Sequence, residues 1–370
     1  MSTKKKIRAR EFGIPFDGVP GEWNSITDVR GVQVGYSTLI SGTGELRTGK
    51  GPVRTGVTAI LPRGKKYDPV FAATYALNGN GEMTGTAWIE ESGFLESPIL
   101  ITNTHSIGIV RDAAIEWMTG HKWYSPVAKN AFWLLPVVAE TYDGCLNDIN
   151  GFHVRKEHVF SALEHASAGL IDEGNIGGGT GMICHGFKGG TGTASRKLLK
   201  TDGGYTVGVL VQANHGIKRN LTIAGVPVGK ELLSNSSTRN SSKEGIGSII
   251  VVVATDAPLL PHQLKRLVRR VPMGIAKVGG VGENTSGDIF IAFSTANSGA
   301  FRQTGLKKLQ MLPNDDMTPL FEAVVQSTEE AILNALFAAE TMTGINGKTV
   351  EKMPIGKIME ILNKHRRIVL

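Results

Sequence analysis

The sequence predicts an α/β protein in which a mixed sheet packs on helices. Strand-like and helix-like segments alternate along the 370 residues, without long-range repeats or low-complexity linkers between them. A composition of 41% hydrophobic and 20% charged residues is that of an ordinary globular protein able to build its core without staples. The chain is longer than one typical core uses, so one large domain or two intimately packed halves are both allowed.

In order along the chain, residues 31–38 (GVQVGYST) and 55–61 (TGVTAIL) read as half-buried strands. Residues 106–119 and 155–169 carry helical patterns, and 132–138 is an apolar stretch between them. Strand character returns at 205–212 (YTVGVLVQ), 249–255 and 288–293 (DIFIAF). Residues 261–271 and 318–339 read as helices, the second opening on Thr318-Pro319 with apolar residues at three and four spacing. The 47 glycines cluster at 78–81, 177–181, 186–192 and 279–282. Such density marks tight turns and close backbone approach, often around a ligand.

Several function classes are disfavoured. A dinucleotide-type doubly wound fold wants a strand-GxGxxG-helix unit near the front, and none is present. Residues 44–50 (GELRTGK) have the spacing of a phosphate loop, but Gly51 replaces the hydroxyl residue that holds magnesium, so an exposed turn is expected. The formal charge of +7 sits largely in residues 4–10 and 364–367, read as solvated tails, and no nucleic-acid motif accompanies it. The two cysteines, Cys145 and Cys184, have no metal-ligand spacing; neither a disulfide framework nor a zinc site is expected. Residues 1–20 lack the apolar region of a secretory signal, and no run is long enough to span a membrane. A cytoplasmic location is the expectation, in which sequons such as Asn220 and Asn284 carry no meaning.

The candidate chemistry centres on Gly247-Ser248, between a polar stretch at 234–244 (SNSSTRNSSKE) and the apolar run at 249–253 (IIVVV). The Ser248 hydroxyl is placed to attack the Gly247 carbonyl, shift the chain from amide to ester, and let water complete the cut. Ser248 would then carry a free α-amine, a base beside its own hydroxyl with an ordinary pKa of about 7.7–8.0. The bland reading is a loop followed by a buried strand. Ser286 and Asp288 lie two apart ahead of an apolar run, so an extended strand points both to one face and makes a relay to Ser248; the alternative is a plain solvated turn. Asn214, at the end of a strand, either donates to an oxyanion or shapes a turn. Glu140 suits a substrate ammonium and Tyr142 an oxyanion, against a default of surface loop residues. His105, His185 and His215 read as hydrogen-bonded structural histidines.

Taken together, NGNGEMTG at 78–85, WIEESG at 88–93, PVVAETYDGCLNDING at 136–151, EGNIGGGTGMICHGFKGGTGTASR at 173–196, VQANHG at 211–216, GIGSIIVVVATDAPLLPHQL at 245–264 and SGDIFIAFSTAN at 286–297 resemble the L-aminopeptidase/D-esterase family (peptidase family P1), which includes the β-peptidyl aminopeptidases. The resemblance begins at NSITDV, residues 24–29, and implies a four-layer αββα sandwich like that of N-terminal-nucleophile hydrolases but with its own connectivity. It implies self-cleavage of a 1–370 domain into chains 1–247 and 248–370, which stay together and assemble into homo-oligomers; no cofactor or metal is expected. Position by position, Ser248 matches the nucleophile, Ser286 its supporting serine, Asn214 and Tyr142 the oxyanion stabilisers, and Glu140 the group facing the substrate amine. Asp288 stands where the family has glutamate, keeping the charge with a reach one methylene shorter. The implied activity is release of N-terminal residues from short peptides, amides and esters. The alternatives are a related acetyl-ornithine-type acyltransferase with a threonine nucleophile, disfavoured by Ser248 and VQANHG, and a non-catalytic ligand-binding protein.

Overall fold

In the computed structural model, residues 7–123, 133–234, 247–302 and 304–368 are described. The strands are β1 (Gln33–Ser41), β2 (Val53–Lys65), β3 (Val70–Ala76), β4 (Phe94–Leu95), β5 (Ile99–Asn103), β6 (Val137–Thr141), a short hairpin of β7 (Ile183–Cys184) and β8 (Phe187–Lys188), β9 (Gly190–Lys197), β10 (Thr206–Asn214), β11 (Ser248–Thr255) and β12 (Asp288–Ser294). The helices used below are α1 (Thr86–Ser92), α2 (Ile107–Gly120), α3 (Lys156–Glu164), α4 (Val228–Ser234), α5 (Pro261–Val268), α6 (Val271–Lys277) and α7 (Thr318–Ala338).

One sheet has the order β1-β2-β5-β6 and the other β4-β3-β12-β11-β10-β9. Each is mixed: β5 runs parallel to β6 and β11 parallel to β12, while the other pairs are antiparallel. Alternation along the strands builds the layers. On β2, Val57, Ala59 and Leu61 pack with Val110 and Trp117 of α2 and Leu163 of α3. Between them, Ile60 faces inward and joins Ile250, Val252 and Ala254 of β11 in the core between the sheets. The intervening Ile249, Val251 and Val253 pack outward with Leu264 of α5, Ile275 of α6 and Ala331 of α7. Helices, sheet, sheet, helices is therefore the order of layers, as the family resemblance implied. Because β11 is covered on both faces, its run of β-branched residues is continuous rather than alternating.

Several expectations are refined. The helix expected over 155–169 ends at Glu164, because Ser167 turns back to exchange two backbone hydrogen bonds with Val34 of β1. The helix expected over 261–271 stops at Val268, and Pro272 sits in the first turn of the next helix, where its missing N–H is harmless. Residues 44–50 form the expected exposed turn, closed by an Arg47–Gly51 bridge. The glycine run at 186–192 is largely strand rather than ligand loop. Its glycines serve packing: a Cβ on Gly192 would lie 2.1 Å from the Ala331 carbonyl of α7. The basic N-terminal segment also departs from the solvated-tail reading. Arg8 pairs with Glu173 at 2.7 Å and Arg10 with Glu330 at 2.8 Å, while Arg196 reaches Glu330 at 2.7 Å. Glu330 is fully buried on α7, so these guanidinium groups neutralise a carboxylate that could not stand there alone. Among the described residues no helix is long and apolar enough to cross a membrane.

Candidate active site

Sheet register assembles the site. Antiparallel pairing sets Asn214, the last residue of β10, opposite Ser248, the first of β11. Parallel pairing sets Asp288, the first of β12, opposite Ile249. Three strand ends thus deliver Asn214, Ser248 and the Ser286-Gly287-Asp288 turn to one edge of the second sheet. Gly247 is fixed by crowding, since a Cβ there would lie 1.9 Å from the Asn214 carbonyl oxygen.

Ser248 Oγ accepts a hydrogen bond from the Gly287 N–H at 3.1 Å. Next to it, Ser286 Oγ donates to Asp288 Oδ1 at 2.5 Å. Asn78 clamps the aspartate from β3's end: its Oδ1 accepts from the Asp288 N–H at 2.6 Å, and its Nδ2 donates to Asp288 Oδ2 at 3.3 Å. All of Ser248, Ser286 and Asp288 are buried, which removes the solvated-turn alternative for the last two. Burial raises the Asp288 pKa, while the bonds from Ser286 and Asn78 pull it back. Nearby, Glu283 is also raised, first by burial and further by the charge of Asp288.

The Asn214 amide is oriented by both its ends. Its Oδ1 accepts from the Ile183 N–H at 2.7 Å, and its Nδ2 donates to the Tyr142 carbonyl at 3.0 Å. An Nδ2 carries two hydrogens, and one is committed to Tyr142. Tyr142 itself is 38% exposed, its ring lying over Gly144, where an added Cβ would come within 2.4 Å of the hydroxyl. Its tie to the Ser248 row runs through its backbone carbonyl.

Glu140 arrives from the other sheet, on β6, and is buried, not a surface loop residue. Its carboxylate accepts from the Glu82 N–H at 3.1 Å and from the Thr104 hydroxyl. Burial raises its pKa, opposed by those two bonds. The loop at 78–85 joins the halves of the site: Met83 bridges Ala139 of β6 while Asn78 holds Asp288. Two glycines permit the approach. A Cβ on Gly81 would sit 3.0 Å from Gly287 Cα and 3.3 Å from Glu140 Oε1, and one on Gly287 would sit 2.5 Å from the Asn80 carbonyl oxygen. An open groove of ≈ 360 Å³ follows the same loop, lined by Thr74, Tyr75, Gly81, Glu82, Lys265 and Ile289.

The structure brings Ser248, Ser286, Asp288, Asn214 and Glu140, each singled out from the sequence, to one place. Sequence reasoning did not single out Asn78, Thr104 and the Gly287 N–H, which hydrogen-bond Asp288, Glu140 and Ser248 and whose partners are distant in sequence. The loop at 126–132 lies outside the described residues, as does most of the polar stretch ahead of Gly247. A second polar cluster stands beside the site: Cys184, His185 and His215 are buried together, both histidines with pKa values lowered by burial. Asp143, beside Tyr142, is fully buried and pushed up to about 7 by that burial. Both cysteines are free thiols.

The arrangement can perform acyl transfer to a serine: a buried hydroxyl, a backbone donor to its oxygen, a serine–carboxylate pair and an oriented amide. Comparison with known proteins agrees. The chain is 54% identical to a β-peptidyl aminopeptidase of Sphingosinicella microcystinivorans, covering 98% of this chain and 93% of that one. A second β-peptidyl aminopeptidase, from Sphingosinicella xenopeptidilytica, is 45% identical over 96% of this chain and 90% of its own length. Among solved structures, the L-aminopeptidase D-Ala-esterase/amidase of Ochrobactrum anthropi, described as a prototype of the serine aminopeptidases and a variant of the Ntn-hydrolase fold, superposes with a TM-score of 0.90. It is 47% identical, over 98% of this chain and 99% of that one. The sequence profile that matches, over residues 24–350, is that of peptidase family S58. With that match spanning most of its length, and with the strand ends that carry Ser248 in place, this chain belongs to peptidase family S58 and is an aminopeptidase.

Proposed function

We propose that the protein cuts itself between Gly247 and Ser248 and then uses the α-amine and hydroxyl of Ser248 to remove N-terminal residues from short peptides, amides and esters. In the first stage Ser248 Oγ adds to the Gly247 carbonyl carbon, the C–N bond breaks, and the nitrogen takes the hydroxyl proton. Water then hydrolyses the resulting ester. Gly247 leaves as a carboxylate and Ser248 is left with its amine. In turnover the same oxygen attacks the first carbonyl of the substrate, with the free amine or the Ser286 hydroxyl taking the proton. The leaving amine or alcohol departs, and water releases the acyl group.

The observation that carries this reading is the buried Ser248 Oγ held by the Gly287 N–H beside the Ser286–Asp288 pair. Asn214 and Tyr142 are assigned to the oxyanion; loss of one such donor typically costs ~2.7–4 kcal/mol of transition-state stabilisation. Glu140 is assigned to the substrate ammonium, because a buried carboxylate left unpaired by a blocked N-terminus discriminates against it. The shorter Asp288 is compensated by Asn78, which holds it through both its backbone and its side chain. Similarity to two β-peptidyl aminopeptidases supports a preference for substrates with an N-terminal β-amino residue. We read the cut pair of chains as the unit of a cytoplasmic homo-oligomer.

Intact mass under denaturing conditions tests the first stage. The expected result is two fragments summing to the precursor plus one water, the smaller beginning at Ser248, and a single uncut chain for Ser248→Ala. An uncut wild-type chain that still turns over substrate would remove the free amine from the mechanism. Rates on β-alanyl and L-alanyl anilides then test the substrate preference.

A further inference from the structure

We propose that Cys184, His185 and His215 form a binding site for one thiophilic cation of the zinc class. All three are buried, at 0%, 0% and 3% exposure. One donor atom from each lies within 4.8 Å of the others. Cys184 Sγ and His215 Nδ1 stand 3.8 Å apart. Zinc–sulfur and zinc–nitrogen bonds of about 2.3 and 2.0–2.1 Å at tetrahedral angles place such a pair about 3.5 Å apart, so this pair closes by a few tenths of an ångström, while the set as a whole, within 4.8 Å, draws in further on binding.

The His185 imidazole is oriented as a ligand is. His185 Nδ1 lies 3.2 Å from the Ile217 carbonyl. A carbonyl only accepts, so Nδ1 carries the hydrogen and Nε2 keeps a free lone pair. A second bond of this kind fixes tautomer and ring direction in metal-bound histidines. His185 Nε2 and His215 Nε2 are buried and have no hydrogen-bond partner among the described residues. Buried nitrogens without partners are costly, and a cation bound to His185 Nε2 removes one of those costs.

The scaffold around the donors is held tightly. His185 adopts φ 48°, unusual for a non-glycine residue, at the tip of the β7–β8 hairpin. Its backbone N–H donates to the His215 carbonyl at 2.7 Å, which ties the hairpin to the end of β10. Gly216 passes so close to the His185 ring that a Cβ would lie 2.4 Å from Cε1. A donor set of one thiolate and two imidazoles suits zinc. Binding replaces the Cys184 S–H bond by a sulfur–metal bond and releases one proton per ion, with no change of oxidation state. Because the cluster is closed to solvent, the ion enters as the chain folds.

The site abuts the reaction centre. Ile183, next to Cys184, holds the Asn214 amide, and His215 follows Asn214 directly. The ion would lock the hairpin that orients this amide. Metal binding itself stands or falls independently of the role assigned to Asn214.

The test uses the full chain produced in zinc-supplemented medium, with bound metal measured by plasma mass spectrometry after gel filtration. The expected result is about one zinc per chain for the wild type and for Cys145→Ser, against less than about a tenth of that for Cys184→Ser and His185→Gln. A wild type that carries no zinc, or no more than folded Cys184→Ser, overturns the proposal. Wild type produced with cobalt(II) gives a second readout that needs no variant. Thiolate ligation shows a sulfur-to-cobalt charge-transfer band in the near ultraviolet; a cobalt-loaded protein without that band overturns the site.

Discussion

In the proposed function, Glu140 is the side chain that converts burial into selectivity. Its carboxylate is held by the Glu82 N–H and the Thr104 hydroxyl, and its pKa lies above the ordinary value because burial outweighs those bonds. Only the ionised form attracts an ammonium. As pH falls through this raised pKa the carboxylate takes a proton, so KM for a free-amine substrate climbs earlier than an exposed glutamate would allow. Glu140→Gln is expected to lower kcat/KM on such substrates by about 30-fold or more, the lower edge of the ~2–5 kcal/mol seen when one partner of a buried charge pair is removed. The same variant loses the acid limb of the pH profile while its circular dichroism stays that of the wild type. Unchanged kinetics would refute the assignment. At this scale the sequence was most legible where the chemistry is local: Ser286 and Asp288, two apart at a strand entrance, do form a hydrogen-bonded pair. Asn78 was hidden, because its partner lies far along the chain and nothing near it in sequence announces a clamp.

At the scale of elements, the β-branched and long amphipathic segments were readable, and those that depend on a neighbour were not. β11 and α7 start and end within a residue of their expected bounds. β9, GTGTASRK, has weak strand propensity, and its identity comes from antiparallel pairing with β10 and from α7 lying against it. Of the glycines that suggested a ligand loop there, Gly192 is a spacer for α7, while Gly189 and Gly190 admit the backbones of Ala213 and Gly174. Gly192→Ala is therefore expected to push α7 from the sheet and destabilise the fold by ~1–3 kcal/mol, the usual cost of overpacking. Urea unfolding measures it; a midpoint equal to that of the wild type would show that the close approach is not rigid.

For the molecule as a whole, the sheet order β4-β3-β12-β11-β10-β9 interleaves the two parts of the chain on either side of Gly247. β11 and β12, from the second part, are interior strands, flanked by β10 on one side and β3 on the other. α7, also from the second part, receives Arg10 and Arg196 from the first through Glu330. A cut at residue 247 therefore removes no interface. The two fragments are expected to co-elute in gel filtration at any dilution and to separate only in denaturant; separation in native buffer would contradict this sheet order. The four layers were legible through family resemblance, whereas the alternation of segments alone reached no further than a mixed sheet on helices.

The interior position of β11 and β12 also bears on how the protein can be made. A gene divided at this junction yields two polypeptides, one lacking the middle of its sheet and the other consisting of that middle with its covering helices. Each leaves strand edges and apolar faces open that only the other can close, so solubility of either product depends on simultaneous synthesis of both. Divided expression is then a complementation assay, in which recovered soluble protein reports pairing of the halves whether or not the intact chain ever breaks its own backbone.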